Sequence, residues 1–289
     1  MYESISAIIE DEKKTSLPFW KLIQRDDCIE RDVSEEESFE SMKKMYLTMK
    51  DCVKNYDPTL HSNSSLVGGE AVLLRKYIES GKLLSGDFIG QVMEKALMVA
   101  ESNACMRRIV AAPTAGSCGV VPAVFISLQE KLQISDEEMT KALYVAAGVG
   151  GVIAIKASLS GAEGGCQAEI GSASSMAAAG MCYLLGGNSD QIANAAALAL
   201  KNLLGLACDP VAGLVEIPCV KRNVCGAVNA VTSAELTMAG ISSKIPADEV
   251  FEAMHNISRT MSDTIKETAT GGLATTPTGK EIAARLSRS

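Results

Sequence analysis

Residues 161–180 read GAEGGCQAEIGSASSMAAAG, and the two halves of this stretch decide the fold. The second half is a run of Ser, Met and Ala ending in Gly, without the period-2 alternation of a strand. Small residues such as Ala177 to Gly180 let helix axes approach closely. The first half breaks that helix with glycines and carries Cys166 in the break. The same alternation of Ala-rich helix and polar, glycine-containing break recurs along most of the chain.

Working outward, aromatic residues are only 4% of the 289 residues, and the apolar positions are mostly Ala, Leu and Met. The expected fold class is mostly α: a compact multi-helix bundle whose Gly/Ser/Thr-rich loops converge on one site. The spacing predicts helices over 35–56, 70–80, 87–110, 120–132, 136–158, 167–186, 189–207, 218–239, 246–267 and 278–287. Ser34 with Glu37 forms a capping-box pattern, and Ser135, Asn188 and Pro246 stand at starts. In VAAGVGGVIAIKASL, residues 145–159, β-branched residues and glycines would also suit a buried strand. Residues 1–58 are charged and amphipathic and read as a helical arm packed on the main domain, residues 59–289.

The net charge of −8, with no basic stripe, excludes a nucleic-acid surface. The longest apolar run, residues 142–155, ends at Lys156, short of the roughly 20 residues of a membrane helix. The opening MYESISAIIEDEKK lacks a basic start and an apolar core, so a cytoplasmic protein is expected. Nine cysteines, an odd number without dense spacing, read as core thiols, metal ligands or redox groups in a reducing compartment.

Five breaks gather hydroxyls or thiols beside glycines: HSNSSLVGG, APTAGSCG, SGAEGGCQAEIGSAS, CDPVAGLVEIPCVKRN and ETATGGLATTPTG. Such loops expose backbone N–H groups and allow close approach, although they also serve as simple turns. Three cysteines, Cys166, Cys208 and Cys219, lie in these breaks. Three soft ligands suit an iron–sulfur cluster with one iron left open as a Lewis acid. Cys166 and Cys219 lie near helix starts, where free N–H groups are expected to favour thiolate; Cys208, before Asp-Pro, has only a metal to do so. Cys28, Cys52, Cys105 and Cys182 read as small buried hydrophobes.

The strings APTAGSCGVVPA, GAEGGCQAEIGSASSMAAAG, KNLLGLACDPVAGLVEIPCVKRN and GGLATTPTGKEI resemble the α chain of the bacterial iron–sulfur-dependent L-serine dehydratases. The resemblance runs from about residue 30 onward. It implies a lyase that converts serine to pyruvate and ammonia without pyridoxal phosphate, on a 4Fe-4S cluster held by Cys166, Cys208 and Cys219 with one iron open to substrate. Hydroxide is a poor leaving group and the α-proton is weakly acidic, so both the departing oxygen and the developing carbanion need stabilisation. Ser62, Ser64, Thr114 and Ser117 match hydroxyl positions of the family pattern that would hold the substrate. Ser65 and Val67 depart from it, since Gly and often Thr are expected there. Cys118 and Cys225 are bystanders in the pattern, with a fourth-ligand role for Cys225 as the alternative.

No base is assigned. Of the two histidines, His255 lies in a helical pattern and His61 at the edge of a loop. The resemblance implies pairing with a smaller β chain, which could supply the base, and an oligomeric enzyme. Lys221, Arg222 and Asn223 would add charge near the cluster, cap a helix face or form a subunit contact. Competing readings are a cysteine or threonine lyase with the same cluster, and an electron-transfer protein with a fourth cysteine ligand. A pyridoxal-phosphate enzyme would need an α/β scaffold, which the strand pattern does not offer.

Overall fold

A computed structural model of the chain describes residues 1–288. Among these the fold is entirely helical apart from turns and one isolated bridge between Cys208 and Lys266. The helices are α1 (Ile5–Thr15), α2 (Phe19–Arg31), α3 (Glu35–Lys54), α4 (Glu70–Glu79), α5 (Gly86–Ala104), α6 (Val120–Leu132) and α7 (Asp136–Lys156). They continue with the single turn α8 (Gly161–Gly164), a π-helical turn (Gln167–Gly171), α9 (Ser172–Leu184), α10 (Ser189–Lys201), α11 (Cys219–Met238), α12 (Ala247–Thr260) and α13 (Pro277–Leu286).

The Ala-rich α9 is the axis of the bundle. It is buried from Ser172 to Cys182 and packs against α6, α7, α10 and α11. Its small residues are the cause: Gly180 presses against the Phe125 ring of α6 and the Ala142 carbonyl of α7. The polar groups that Ser brings into this core are mostly spent on backbone. Ser174 donates to the Gly226 carbonyl at 2.8 Å and Ser175 to that of Ala196 at 3.0 Å.

The segment that also suited a strand is the helix α7. It is long and apolar enough to cross a membrane, but 67% of its most apolar window is buried against neighbouring helices, so its hydrophobicity is used by the core. The caps form where the sequence places them. Ser34 and Glu37 make a reciprocal capping box, as do Asn188 and Gln191, and Ser135 accepts from Glu138 N–H at 3.2 Å.

Three differences from the sequence reading have physical causes. The charged N-terminal segment holds α1 and α2 besides the expected α3. Their apolar contribution is a few residues each, Ile5 and Ile8, then Phe19, Leu22 and Ile23, all in the same core as α6 and α7. Asp248 of α12 accepts from the N–H groups of Ile5 and Ser6 at 2.9 and 3.1 Å, a tertiary cap that local sequence does not reveal. Second, α5, α10 and α12 end earlier than their apolar spacing. Met106 turns left-handed after α5, Gly205 does so after α10, and the segment after α12 leaves to pair with Cys208. Third, the predicted helix 167–186 begins as the π-helical turn.

Glycines in two of these helices carry opposite expectations. Ala is about 1 kcal/mol better than Gly inside a helix. At Gly151 of α7 a methyl group meets nothing nearer than the Met1 side chain at 3.5 Å, whereas at Gly180 it would collide with Phe125. Gly151→Ala is therefore expected to stabilise by about 0.5–1 kcal/mol, and Gly180→Ala to destabilise by about 1–3 kcal/mol. Chemical unfolding of the two variants beside the parent checks the reversal of sign.

Candidate active site

The site is assembled on the first turn of α11, CVKRN, where three successive side chains each fasten a different piece of chain. Lys221 forms an ion pair with Glu70 at the start of α4. Arg222 donates to the Ala207 carbonyl at 2.6 Å and to Asp209 Oδ1 at 2.9 Å, and its guanidinium is near enough to Cys166 for the charge to favour that residue's thiolate. Asn223 accepts from Gly119 N–H at 2.8 Å and donates to the carbonyls of Gly116 and Cys219 at 2.8 and 3.0 Å. The loops of residues 113–119, 165–167 and 207–209 are thus tied to the helix that Cys219 opens.

Each thiol is held by its backbone. Gly165 precedes Cys166 with φ +72, and a Cβ there would approach Met261 Sδ at 2.6 Å and the Leu206 carbonyl at 3.0 Å, which only glycine avoids. Gln167 then locks the π-helical turn in place. Its side chain accepts from Gly205 N–H at 2.8 Å and donates to Ser258 Oγ at 3.1 Å, while its N–H donates to the Leu206 carbonyl at 3.1 Å. Cys208 is clamped on both sides: its N–H donates to the Ile265 carbonyl and its carbonyl accepts from Glu267 N–H, each at 2.8 Å.

All three thiols are free and buried, and they lie close enough that Cys208 feels both Cys166 and Cys219. Burial pushes Cys166 up to about 11, with Arg222 pulling the other way, and Cys219 up to about 12, with Cys166 and Glu169 adding to the rise. Cys208 is raised further, by burial and then by Cys166, Glu169 and Cys219. The expectation that helix-start N–H groups favour thiolate at Cys166 and Cys219 is corrected here. Backbone N–H groups do lower both, but burial outweighs them.

The donor set fits a polynuclear group. Among the described residues no three His, Cys, Asp or Glu side chains converge tightly enough for one metal ion. Two loop thiols, Cys166 and Cys208, with Cys219 at the start of α11, are soft donors of the kind an iron–sulfur group takes.

Glu169, in the middle of the π-helical turn, escaped the sequence reading although it stands in GGCQAEIG. Its Oε1 accepts from Thr114 Oγ1 at 2.8 Å, and its Oε2 is 4.0 Å from Cys208 Sγ. Burial holds its carboxyl above the usual range, against the Thr114 hydrogen bond. Thr114 and Ser117, both predicted substrate contacts, have their hydroxyl oxygens 3.1 Å apart and so reach this group.

Ser62 and Ser64 form a second cluster. Both hydroxyls donate to Glu216 Oε2, from Ser62 at 3.0 Å, and clasp the 61–69 loop to the strand of chain leading into Cys219. Ser65 has φ +59, the left-handed backbone that makes Gly the natural occupant, and Val67 is buried with its N–H directed to Ser62 Oγ at 3.3 Å. Asp209, Gln167 and Glu216 were also missed; each is a polar residue whose partner is remote in sequence. Cys118 is fully buried against Val99, while Cys225 is exposed. Both histidines are exposed, with His61 Nδ1 3.2 Å from the Thr59 carbonyl.

Comparison with known proteins is consistent with this arrangement. The family described as "Serine dehydratase alpha chain" matches residues 4–274. The chain is 45% identical over 99% of its length to the "Probable L-serine dehydratase, alpha chain" of Bacillus subtilis (strain 168), covering 95% of that protein. It is 38% identical over 98% of its length to the "L-serine dehydratase, alpha chain" of Peptoniphilus asaccharolyticus, covering 97% of it. The "L-serine dehydratase" of Streptomyces coelicolor is longer: at 40% identity over 91% of this chain, only 58% of that protein is covered.

The Arg222 anchor makes a stability prediction. Arg222→Gln leaves Asp209 buried without its cation and is expected to cost about 3–5 kcal/mol. Arg222→Lys keeps the charge but cannot span Ala207 and Asp209 together, and should fall between. Urea unfolding of the three proteins orders them.

Proposed function

The chain belongs to the serine dehydratase alpha-chain family, and on that premise we propose that it is the α subunit of an L-serine dehydratase. In this reading it converts L-serine to pyruvate and ammonia without pyridoxal phosphate. Cys166, Cys208 and Cys219 would hold a 4Fe-4S cluster. The observation that carries the reading is the proximity of these three free, buried thiols, Cys166 and Cys208 on two loops and Cys219 at the start of the helix that Arg222 ties to the Cys208 loop.

When bound, such a cluster supplies a Lewis-acidic iron for an oxygen of the substrate. The rest is the work of the chain's own side chains. Arg222 offsets part of the negative charge that three thiolates bring into a buried space, and its bonds to Ala207 and Asp209 keep the Cys208 loop beside the Cys166 loop. Thr114 and Ser117 stand next to the thiols through Glu169 and are assigned to the polar groups of the amino acid. Ser62 and Ser64 are assigned to the same task from the loop that Glu216 holds. Burial of the thiols excludes bulk water, which strengthens each electrostatic contact to the substrate.

Removal of the α-proton needs a base. Both histidines of this chain are exposed, which supports a base from a second, smaller β chain. The names of the two full-length relatives, each an alpha chain, support the same composition.

The test is anaerobic purification with the partner chain, followed by iron and sulfide counts and electron paramagnetic resonance before and after serine. Cys166→Ser, Cys208→Ser and Cys219→Ser should each lose iron and deamination, and Cys225→Ser should keep both. A spectrum indifferent to serine, or iron retained in all three ligand variants, would defeat the proposal. Rates on L-serine, L-threonine and L-cysteine separate the lyases that share such a cluster.

A further inference from the structure

Glu169 is a carboxylate without a cation. Among the described residues it forms no ion pair, and the side chains that contact its oxygens are the Thr114 hydroxyl and the Cys208 thiol. It is nonetheless partly withdrawn from water. A Cβ on Gly116 or on Gly161 would each stand 2.8 Å from one of its oxygens, so the carboxylate lies flat against two glycine backbones. Its one hydrogen bond from a side-chain hydroxyl comes from Thr114, and the Cys208 thiol is on its other side. Keeping a desolvated carboxylate unpaired is expensive, and a ligand that brings positive charge removes the cost.

Two further observations restrict that ligand. One carboxylate and one hydroxyl are too few oxygens for a dedicated metal-ion site, since a cation such as calcium takes six or more. An ammonium group needs few acceptors. The buried carboxylates Glu216 and Glu101 also form no ion pair, but Glu216 accepts from two serine hydroxyls and Glu101 from the Tyr56 hydroxyl and the N–H groups of Glu70 and Ala71, whereas Glu169 has Thr114 alone and stands beside Cys208.

We propose that Glu169 is the receptor for the α-ammonium group of the amino-acid substrate, and that it selects amino acids over hydroxy acids of the same carbon skeleton. The inference rests on the dehydratase reading and adds the residue that recognises the amino end. Thr114 then has two tasks, orienting Glu169 and offering its own oxygen lone pair to the same ammonium.

The experiment uses the anaerobically purified holoenzyme and measures equilibrium binding of L-serine and of 3-hydroxypropionate, which is serine without its amino group. In the parent enzyme serine should bind about 10- to 100-fold tighter, the range of charge-assisted hydrogen bonding. Glu169→Gln should abolish most of that advantage while leaving 3-hydroxypropionate affinity and iron content unchanged. Equal affinity of the parent for the two ligands overturns the inference without any variant. So does a Glu169→Gln enzyme that keeps its preference, weakens both ligands alike, or loses iron. Failure of the dehydratase reading looks different: the parent would then contain no iron or bind neither ligand.

Discussion

The structure depends on one turn of helix. At the start of α11 the chain presents Cys219, Lys221, Arg222 and Asn223 in order, and because a helix points successive side chains in different directions, each reaches a different loop. Lys221 meets α4, Arg222 meets the Cys166 and Cys208 loops, and Asn223 meets the loop of Thr114 and Ser117. Had these loops been tethered only by their own ends, each would carry the entropy of a free surface loop. Pinned to a common helix that itself packs on α5 and α9, they behave as extensions of the core.

That rigidity is needed because the thiols are in an unfavourable place for charge. Burial raises all three above the ordinary thiol range, Cys166 adds to the rise at Cys208 and Cys219, and Arg222 is the cation that acts on Cys166 and Cys219. Metal ligation requires thiolate, so a resident metal group would have to displace the protons at a free-energy cost set by this environment. The compensation is pre-organisation. The loop atoms that would otherwise have to be ordered on binding are already fixed by Gln167, Asp209 and Asn223, and Asp209 extends the hold to the 271–276 segment by accepting from Leu273 N–H at 2.8 Å.

Much of the helical layout was legible because its signals are local. Capping residues such as Ser34, Ser135 and Asn188 announce their helices, and small-residue runs such as residues 177–180 announce close packing. The three cysteines stood out because they lie in Gly- and Pro-containing breaks, and the fold brings them near one another. Ser65 shows the same legibility at one residue: glycine was expected there, and the backbone is indeed left-handed. What stayed hidden was everything decided by a remote partner. α1 has a local cap in Ser4, but its second cap, Asp248, comes from α12, and α2 is ordered by packing on α7. Glu169 and Glu216 look like ordinary surface acids until Thr114, Ser62 and Ser64 are brought to them across more than fifty residues of chain.

The π-helical turn joins these themes. A continuous α-helix from Gln167 would have satisfied the sequence pattern, and the extra residue per turn costs hydrogen-bond quality. Gln167 points to Gly205 and Ser258, and Glu169 to Thr114 and Cys208. Gly165 before the turn and Gly171 at its end admit it, since a side chain at either would meet Met261 or Leu200 within 3 Å. Residues two apart on a helical turn point to opposite sides, so Gln167 locks the loop while Glu169 faces Thr114 and Cys208.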